Sequence, residues 1–251
     1  MKFIIQTIIF LFVLSLGGYA QNDPRFQQGN QLYAEEEYEE AINKYEGVLQ
    51  SGLESAELYY NLGNAYYKTG NLAEAILNYE RALLHEPQDQ DIRHNLKLAY
   101  SQTTDEIDQV GTFFLIEWFR SLRNLNDSDG WAKWSIAGFI LFLISLGFYF
   151  FGRNIPLKKA AFSLTVLFII FSGITFSFSA HQKEKLTESS HAIVFTPSVN
   201  VKSSPDESGN DLFVLHEGTK VTLQNKIGEW WNVTLADGSE GWIHESDIEI
   251  I

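Results

Sequence analysis

FFGRNIPLKKA, residues 150–160, stands between two long apolar runs. It holds a glycine, a proline and three cations (Arg153, Lys158 and Lys159), and no acid. Short basic loops resist export and stay in the cytoplasm. Pro156 cannot continue a helix arriving from its N-terminal side, but its fixed φ suits the first turn of a new one. Residues 152–159 therefore read as the cytoplasmic turn of a two-helix transmembrane hairpin. Arg153, Lys158 and Lys159 are its topology determinants.

To either side the chain is apolar enough to enter lipid. Trp134–Phe151 has 18 residues and no charge, about 27 Å as a helix. Ala160–Ala180 has 21, about 31 Å. A bilayer core is ~30 Å thick, and the expected spans are 131–151 and 160–180. Trp131 and Trp134 mark the first edge, where amphipathic rings gather. Ser135, Gly138, Ser145, Gly147, Ser163, Ser172 and Gly173 would let the two helices approach closely. The chain opens MKFIIQTIIFLFVLSLGGYAQ, with Gly18 and Ala20 at the −3 and −1 positions of a cut before Gln21. Residues 1–20 read as a signal peptide or as a retained anchor, and both readings export the chain from Gln21 onward. Export signal and basic turn agree on a bacterial inner-membrane protein with both large flanks in the periplasm.

Working outward on the N-terminal side, residues 103–130 form a linker. Within it FFLIEWFRSLRNL (113–125) puts Leu115, Trp118, Phe119, Leu122 and Leu125 on one helical stripe, with Arg120 and Arg123 off its centre. The stretch is too short and too charged to span. Two readings stay open: a helix lying on the outer leaflet, and a helix capping the domain before it.

That domain repeats. QGNQLYAEEEYEEAINKYEGVLQ (28–50) aligns without gaps on LGNAYYKTGNLAEAILNYERALL (62–84), 34 residues on. Gly29 meets Gly63, Asn30 meets Asn64, Ala41 meets Ala75, Tyr45 meets Tyr79 and Leu49 meets Leu83. A 34-residue period with Leu62, Gly63, Tyr66, Gly70, Ala75, Tyr79, Ala82 and Pro87 resembles the tetratricopeptide repeat, a pair of antiparallel helices. The first copy departs from it: Glu36 stands in place of Gly70, Val48 in place of Ala82, and nothing matches Pro87. A third start, DIRHNLKLAY (91–100), reads as a capping helix, so residues 21–102 form an all-α domain of two repeats and a cap. The acidic run EEEYEE (35–40) reads as a solvated turn and helix face. The resemblance implies a concave face that binds protein, including Asn30, Tyr33, Asn64, Tyr67, Lys68 and His94. Asparagines at this repeat position hydrogen-bond a peptide backbone or a terminal carboxylate in related domains. The cations of a carboxylate clamp are mostly missing beside Lys68, so a clamp and a less defined groove both stay open.

On the C-terminal side a polar stalk, 181–190, leads to a change of period. HAIVF, VTLQ, WWNVTL, EGWIHE and IEI are short β-prone pieces separated by turn-rich links, Asp237-Gly238 among them. Such a run over residues 191–251 predicts a small all-β barrel. The order NVKSSPDESG, LHEGTKV, GEWWNVTLADGSEGWI resembles the bacterial SH3-like domain. Gly218-Thr219 starts a strand, Trp230 and Val233 lie on the next, and Asp237, Gly238, Gly241, Trp242 and Ile243 form the following hairpin. Lys202 replaces the family's arginine near the first strand. Trp230 and Trp242 are expected in the core. Trp231 alternates to the opposite face, so Trp231 and Lys202 are the candidate ligand surface, for a proline-rich or cell-wall peptide.

The remaining composition excludes more than it suggests. Net charge is −14, and it is uneven: 20 acids against 8 bases over residues 21–130, and 12 against 5 over 181–251. Such surfaces repel nucleic acid. With no cysteine there is no disulfide, zinc–thiolate site or thiol nucleophile. No phosphate loop, nucleophile elbow or metal-ligand spacing occurs, and His85, His94, His181, His191, His216 and His244 are scattered. Neither a cofactor nor catalysis is expected.

Taken whole, the order of export signal, two repeats, membrane hairpin and SH3-like barrel resembles the BatE family of aerotolerance-operon proteins. The resemblance implies a membrane component of an envelope complex. It also implies von Willebrand A-type membrane proteins, another repeat protein and a MoxR-type ATPase as neighbours, and a role in oxidative or envelope stress. A scaffold that holds two periplasmic binding modules near the membrane is the leading reading. A peptidoglycan-binding anchor that recruits a wall enzyme is the alternative.

Overall fold

The computed structural model describes residues 20–105, 107, 113–187 and 190–251. The expected signal segment lies outside the described residues except for Ala20, which is buried in the core of the first repeat. The chain divides into two compact units. One joins the described parts of Met1–Leu83 and Gln90–Asp108 to His191–Ile251; the other takes in Leu84–Asp89 and the described part of Gln109–Ser190.

The repeats comprise α1 (Pro24–Ala34), α2 (Tyr38–Leu49), α3 (Ala56–Thr69), α4 (Leu72–His85) and α5 (Gln90–Tyr100), the last being the expected cap. α1 begins on Asp23, whose carboxylate accepts from the Arg25 backbone N–H at 2.9 Å, and Pro24 fills a first-turn position that needs no donor. α3 begins on Ser55, whose hydroxyl accepts from the Leu58 N–H at 3.1 Å. It ends at Gly70, where φ is 83°. The matching corner of the first pair is Glu36, also left-handed at φ 65°. A side chain there costs about 1–2 kcal/mol that glycine avoids. The first pair is therefore the more strained copy.

A glycine under a tyrosine ring closes each pair. A Cβ on Gly29 would stand 2.5 Å from the ring of Tyr45, and one on Gly63 2.8 Å from the ring of Tyr79. Both rings are buried, and one apolar cluster gathers round each.

The sheet domain has seven strands: β1 (His191–Val194), β2 (Ser198–Lys202), β3 (Asp211–His216), β4 (Lys220–Ile227), β5 (Trp230–Thr234), β6 (Glu240–His244) and β7 (Ile248–Ile250). They pair antiparallel in the order β3-β2-β6-β5-β4-β1-β7. β3 and β7 remain edges, so the expected barrel is an open sheet. It still encloses one core, with Val201, Leu215, Val221, Val233, Ile243 and Ile248 arriving from six strands. β1 is buried on both faces. Ala192 and Val194 enter the core of the sheet, while Ile193, fully buried, enters the cluster of the second repeat with Phe195 and Ile251 beside it. The turn before β4 is close enough to the repeats that a Cβ on Gly218, φ 83°, would meet Thr103 at 2.8 Å and Ile76 at 3.0 Å. Repeats and sheet share a core.

In the second unit α6 (Phe114–Arg123) precedes α7 (Ser128–Phe151) and α8 (Ile155–Thr187). α7 and α8 are long and apolar enough to cross a membrane. α8 starts earlier than its apolar run. Pro156 needs no N–H in the first turn, and the Asn154 carbonyl accepts from the Lys158 N–H at 3.0 Å. Lys158 and Lys159 thus stand on the helix and only Arg153 in the link. α8 also continues through the expected stalk, because Gln182 is engaged: its side-chain amide donates to the carbonyls of Arg123 and Asn126 and to the side chain of Asn124, at 3.2–3.3 Å.

Three polar clasps join α7 to α8. Ser128 and Ser179 exchange hydroxyl-to-carbonyl bonds at 3.2 and 2.9 Å, Ser135 and Ser172 do the same at 3.1 and 2.9 Å, and Thr165 donates to the Ser145 hydroxyl at 3.0 Å. Gly138 admits Phe171. Of the small residues expected at this seam, Gly147 and Gly173 face open space where a Cβ would stand, and Ser163 is exposed and donates to Lys159 of its own helix.

If the glycine–tyrosine contact closes the repeats, Gly63→Ala must displace the Tyr79 ring. The expected loss is about 1–3 kcal/mol, read as a lowered midpoint in thermal or urea unfolding of the repeat signal. An unchanged midpoint would remove the contact from its assigned role.

Candidate binding surfaces and the junction between them

Along the first helix of each pair runs a ladder of asparagines. The Asn30 side-chain oxygen accepts from the Tyr45 hydroxyl at 2.8 Å and from the Asn61 amide at 3.0 Å. One repeat on, the Asn64 oxygen accepts from the Tyr79 hydroxyl at 2.7 Å and from the Asn95 amide at 2.8 Å. Burial pushes both tyrosine hydroxyls up, so they stay protonated and donate. Every partner recurs 34 residues later: Asn30 and Asn64, Tyr45 and Tyr79, Asn61 and Asn95. Residues 26–91 match the tetratricopeptide repeat family. Residues 197–249 match the bacterial SH3 domain. A search of curated proteins returns no match.

The tetratricopeptide ladder fixes what the groove offers. With both lone-pair directions of each oxygen engaged, the amide N–H groups of Asn30 and Asn64 are the atoms left for a ligand, and among the described residues they have no partner. Two donors spaced by one repeat suit the carbonyls of an extended peptide. Of the other expected groove residues, Tyr33 stacks edge-on with Tyr38 at 5.2 Å. The Tyr67 hydroxyl accepts from Gln102, beyond the cap helix. Lys68 and His94 are exposed. The structure adds Asn61 and Asn95 to the expected set. Their signal is present in the sequence: a second asparagine pair at the same 34-residue offset.

On the SH3 domain the faces are exchanged. Trp231 shares the face of Val233 and packs on the core, with the Lys226 ammonium 5.4 Å from its ring centre. The register sets Trp230 opposite His244, Asn232 opposite Trp242, and Lys202 opposite Trp242. These residues alternate with the buried Val233, Gly241 and Ile243, so they form the outer face of β2, β6 and β5. Trp230 and Trp242, expected in the core, belong to that face and are partly exposed. Trp230 meets the His244 ring edge-on at 5.3 Å, and Lys202 is held by Asp211 at 2.7 Å. The candidate surface keeps Lys202, loses Trp231, and gains Trp230 and Trp242. The size of Trp230 in its W-x-x-V strand suggests a core residue, but the burial of Val233 fixes the opposite phase.

Between repeats and SH3 domain lies a junction that no local motif announces. Asp105, just past α5, accepts from the His216 backbone N–H and the Thr219 hydroxyl, each at 2.7 Å, and its other oxygen faces His216 Nδ1 at 2.7 Å. Lys220 Nζ is 2.6 Å from Glu80, whose second oxygen accepts from the Tyr100 hydroxyl at 2.7 Å. Arg81 donates to the Ile250 carbonyl at 2.6 Å. Burial alone would raise the Asp105 carboxyl. Hydrogen bonds from Thr219 and His216 outweigh it and hold the group below its ordinary value of 3.8.

A carboxyl lowered in the folded state stabilises above its unfolded value and loses that contribution as pH falls through its folded one. The junction should therefore weaken below the ordinary aspartate value of 3.8. Thermal midpoints measured from neutral to acid pH should fall less steeply in Asp105→Asn than in the parent chain. Parallel curves would show that Asp105 does not couple the two domains.

Proposed function

We propose that this chain is a non-catalytic membrane scaffold. α7 and α8 cross the inner membrane with Arg153, Lys158 and Lys159 on the cytoplasmic side, and the joined tetratricopeptide and SH3 body works in the periplasm. The observation that carries the reading is the asparagine ladder. It holds two amide donors in place, one repeat apart. Preorganised donors lower the cost of ordering a bound segment. The groove takes an extended segment of a partner protein, and Tyr67 and Lys68 lie further along the same helix as Asn64. The domain order resembles the BatE family, which favours von Willebrand A-type membrane proteins as the partners and an envelope complex acting in oxidative or envelope stress as the setting.

A second reading rests on the outer face of the SH3 domain. Trp230, Trp242, Asn232 and Lys202 combine flat apolar rings with polar groups, the chemistry that a wall peptide or sugar would meet. On this reading the SH3 domain grips peptidoglycan and the repeats recruit a wall enzyme.

Affinity purification of the full chain in mild detergent separates the two. A scaffold retains other membrane proteins, and Tyr67→Ala with Lys68→Ala abolishes that retention. A wall anchor is instead retained on purified sacculi, and Trp230→Ala with Trp242→Ala releases it. Undiminished capture of membrane proteins by the groove variant would sink the scaffold reading. Topology has its own check, since the chain has no cysteine. A cysteine at Lys158 should stay unreactive to impermeant maleimide in intact spheroplasts while one at Ser208 is labelled; the reverse pattern overturns the orientation.

A further inference from the structure

α6 carries its apolar residues outward. None of its residues is buried. Phe114 and Trp118 are 68% and 62% exposed, with Leu115 and Ile116 about half exposed between them. Yet the helix is fastened at its other end. Phe119 meets Phe178 of α8 edge-on at 5.5 Å, and Phe178 meets Trp131 of α7 at 5.1 Å. The Trp131 indole donates to the Arg123 carbonyl at 2.7 Å, and the Gln182 amide donates to the same carbonyl at 3.2 Å. Arg123 is thereby held beside His181, the neighbour of Gln182. Lys185 lies one turn further along the same face of α8.

This cluster has buried polar atoms without partners. Arg123 Nε and His181 Nε2 are both shut away from solvent, and neither has a hydrogen-bond partner among the described residues. Two such atoms on adjoining residues are uncommon, because each costs about 1–3 kcal/mol. Among the described residues, Glu117 pairs with Arg120 at 2.8 Å, and Glu184 faces the other ring nitrogen of His181 at 3.6 Å. An oxyanion reached by a small swing of the Arg123 and His181 side chains would accept from Arg123 Nε, and from His181 Nε2 when that nitrogen carries the proton.

We propose that α6 lies along the lipid surface at this end of the hairpin, and that Arg123, His181 and Lys185 hold the phosphate of an anionic phospholipid. The occupant is set by continuity and charge. α6 is stitched to the helices that enter the bilayer, its apolar face is of the kind that settles at the acyl boundary, and its cations stand at the edge where headgroups lie. This rests on the reading that α7 and α8 span the membrane.

Spin labels on the full chain in nanodiscs of phosphatidylcholine mixed with phosphatidylglycerol test both statements. A label at Leu143→Cys reports the hairpin and one at Ile116→Cys reports α6. Both should be reached by oxygen in preference to a water-soluble nickel chelate. If Leu143 fails, the spanning reading fails and the proposal with it. If Leu143 passes while Ile116 favours the nickel chelate, or is shielded from both reagents by protein, the proposal alone is overturned. In detergent, Arg123→Gln with His181→Gln should lower the co-purified phosphatidylglycerol by about fivefold or more, while Arg153→Gln leaves it unchanged. Equal retention in both overturns the headgroup site. Displacement of the lipid by millimolar inorganic phosphate would make free phosphate the ligand and overturn the lipid assignment.

Discussion

One strand with no solvent face governs the architecture. β1 sends Ala192 and Val194 into the sheet and Ile193 into the second repeat. Two long apolar helices separate these regions in the chain, yet Ile193, with Phe195 and Ile251 beside it, enters the cluster of the second repeat. Burying both faces of a strand is ordinary inside a layered domain. Here it replaces a linker, and the repeats and the sheet form one body. Effective concentration, the usual gain from tethering, is then accompanied by fixed geometry. A ligand spanning the groove and the outer sheet face would find them at a set separation.

The sequence is most legible where period and length carry the information. A 34-residue offset, two uncharged runs and a chain of turn-separated strands each have a physical reading that needs no tertiary context, and each appears in the fold. Phase is harder. Trp230 and Trp231 are adjacent, and alternation says only that they face apart; Val233 decides which is inside, and it does so through packing. The junction is not legible at all. Asp105 sits in a polar link and Ile193 in an ordinary strand, and only the fold brings them to the same seam. The asparagine ladder falls between these cases. Asn30 and Asn64 are readable from the repeat, and Asn61 and Asn95 obey the same offset, but nothing local says that their amides would occupy the neighbours' oxygens.

Charge divides the molecule by role. The segments around the repeats and the sheet are acidic, which suits solubility and discourages polyanions. Cations concentrate at the two ends of the hairpin, at Arg153, Lys158 and Lys159 and around Arg123 and Lys185. Within the acidic body a few cations are engaged at the seam: Lys220 on Glu80 and Arg81 on the last strand. The surface keeps a net negative field while its internal join is held by opposite charge.

The clasps of the hairpin also limit how it can move. Thr165, Ser172 and Ser179 are seven residues apart on α8, and Ser128 and Ser135 keep the same interval on α7. A seven-residue seam winds left-handed. Screwing one helix past the other by a single residue would turn it by ~100° and carry its hydroxyls off the seam. The next matching position is about 10 Å away. A change of register would have to break all three clasps together, which suits the pair to the part of a strut and not of a piston.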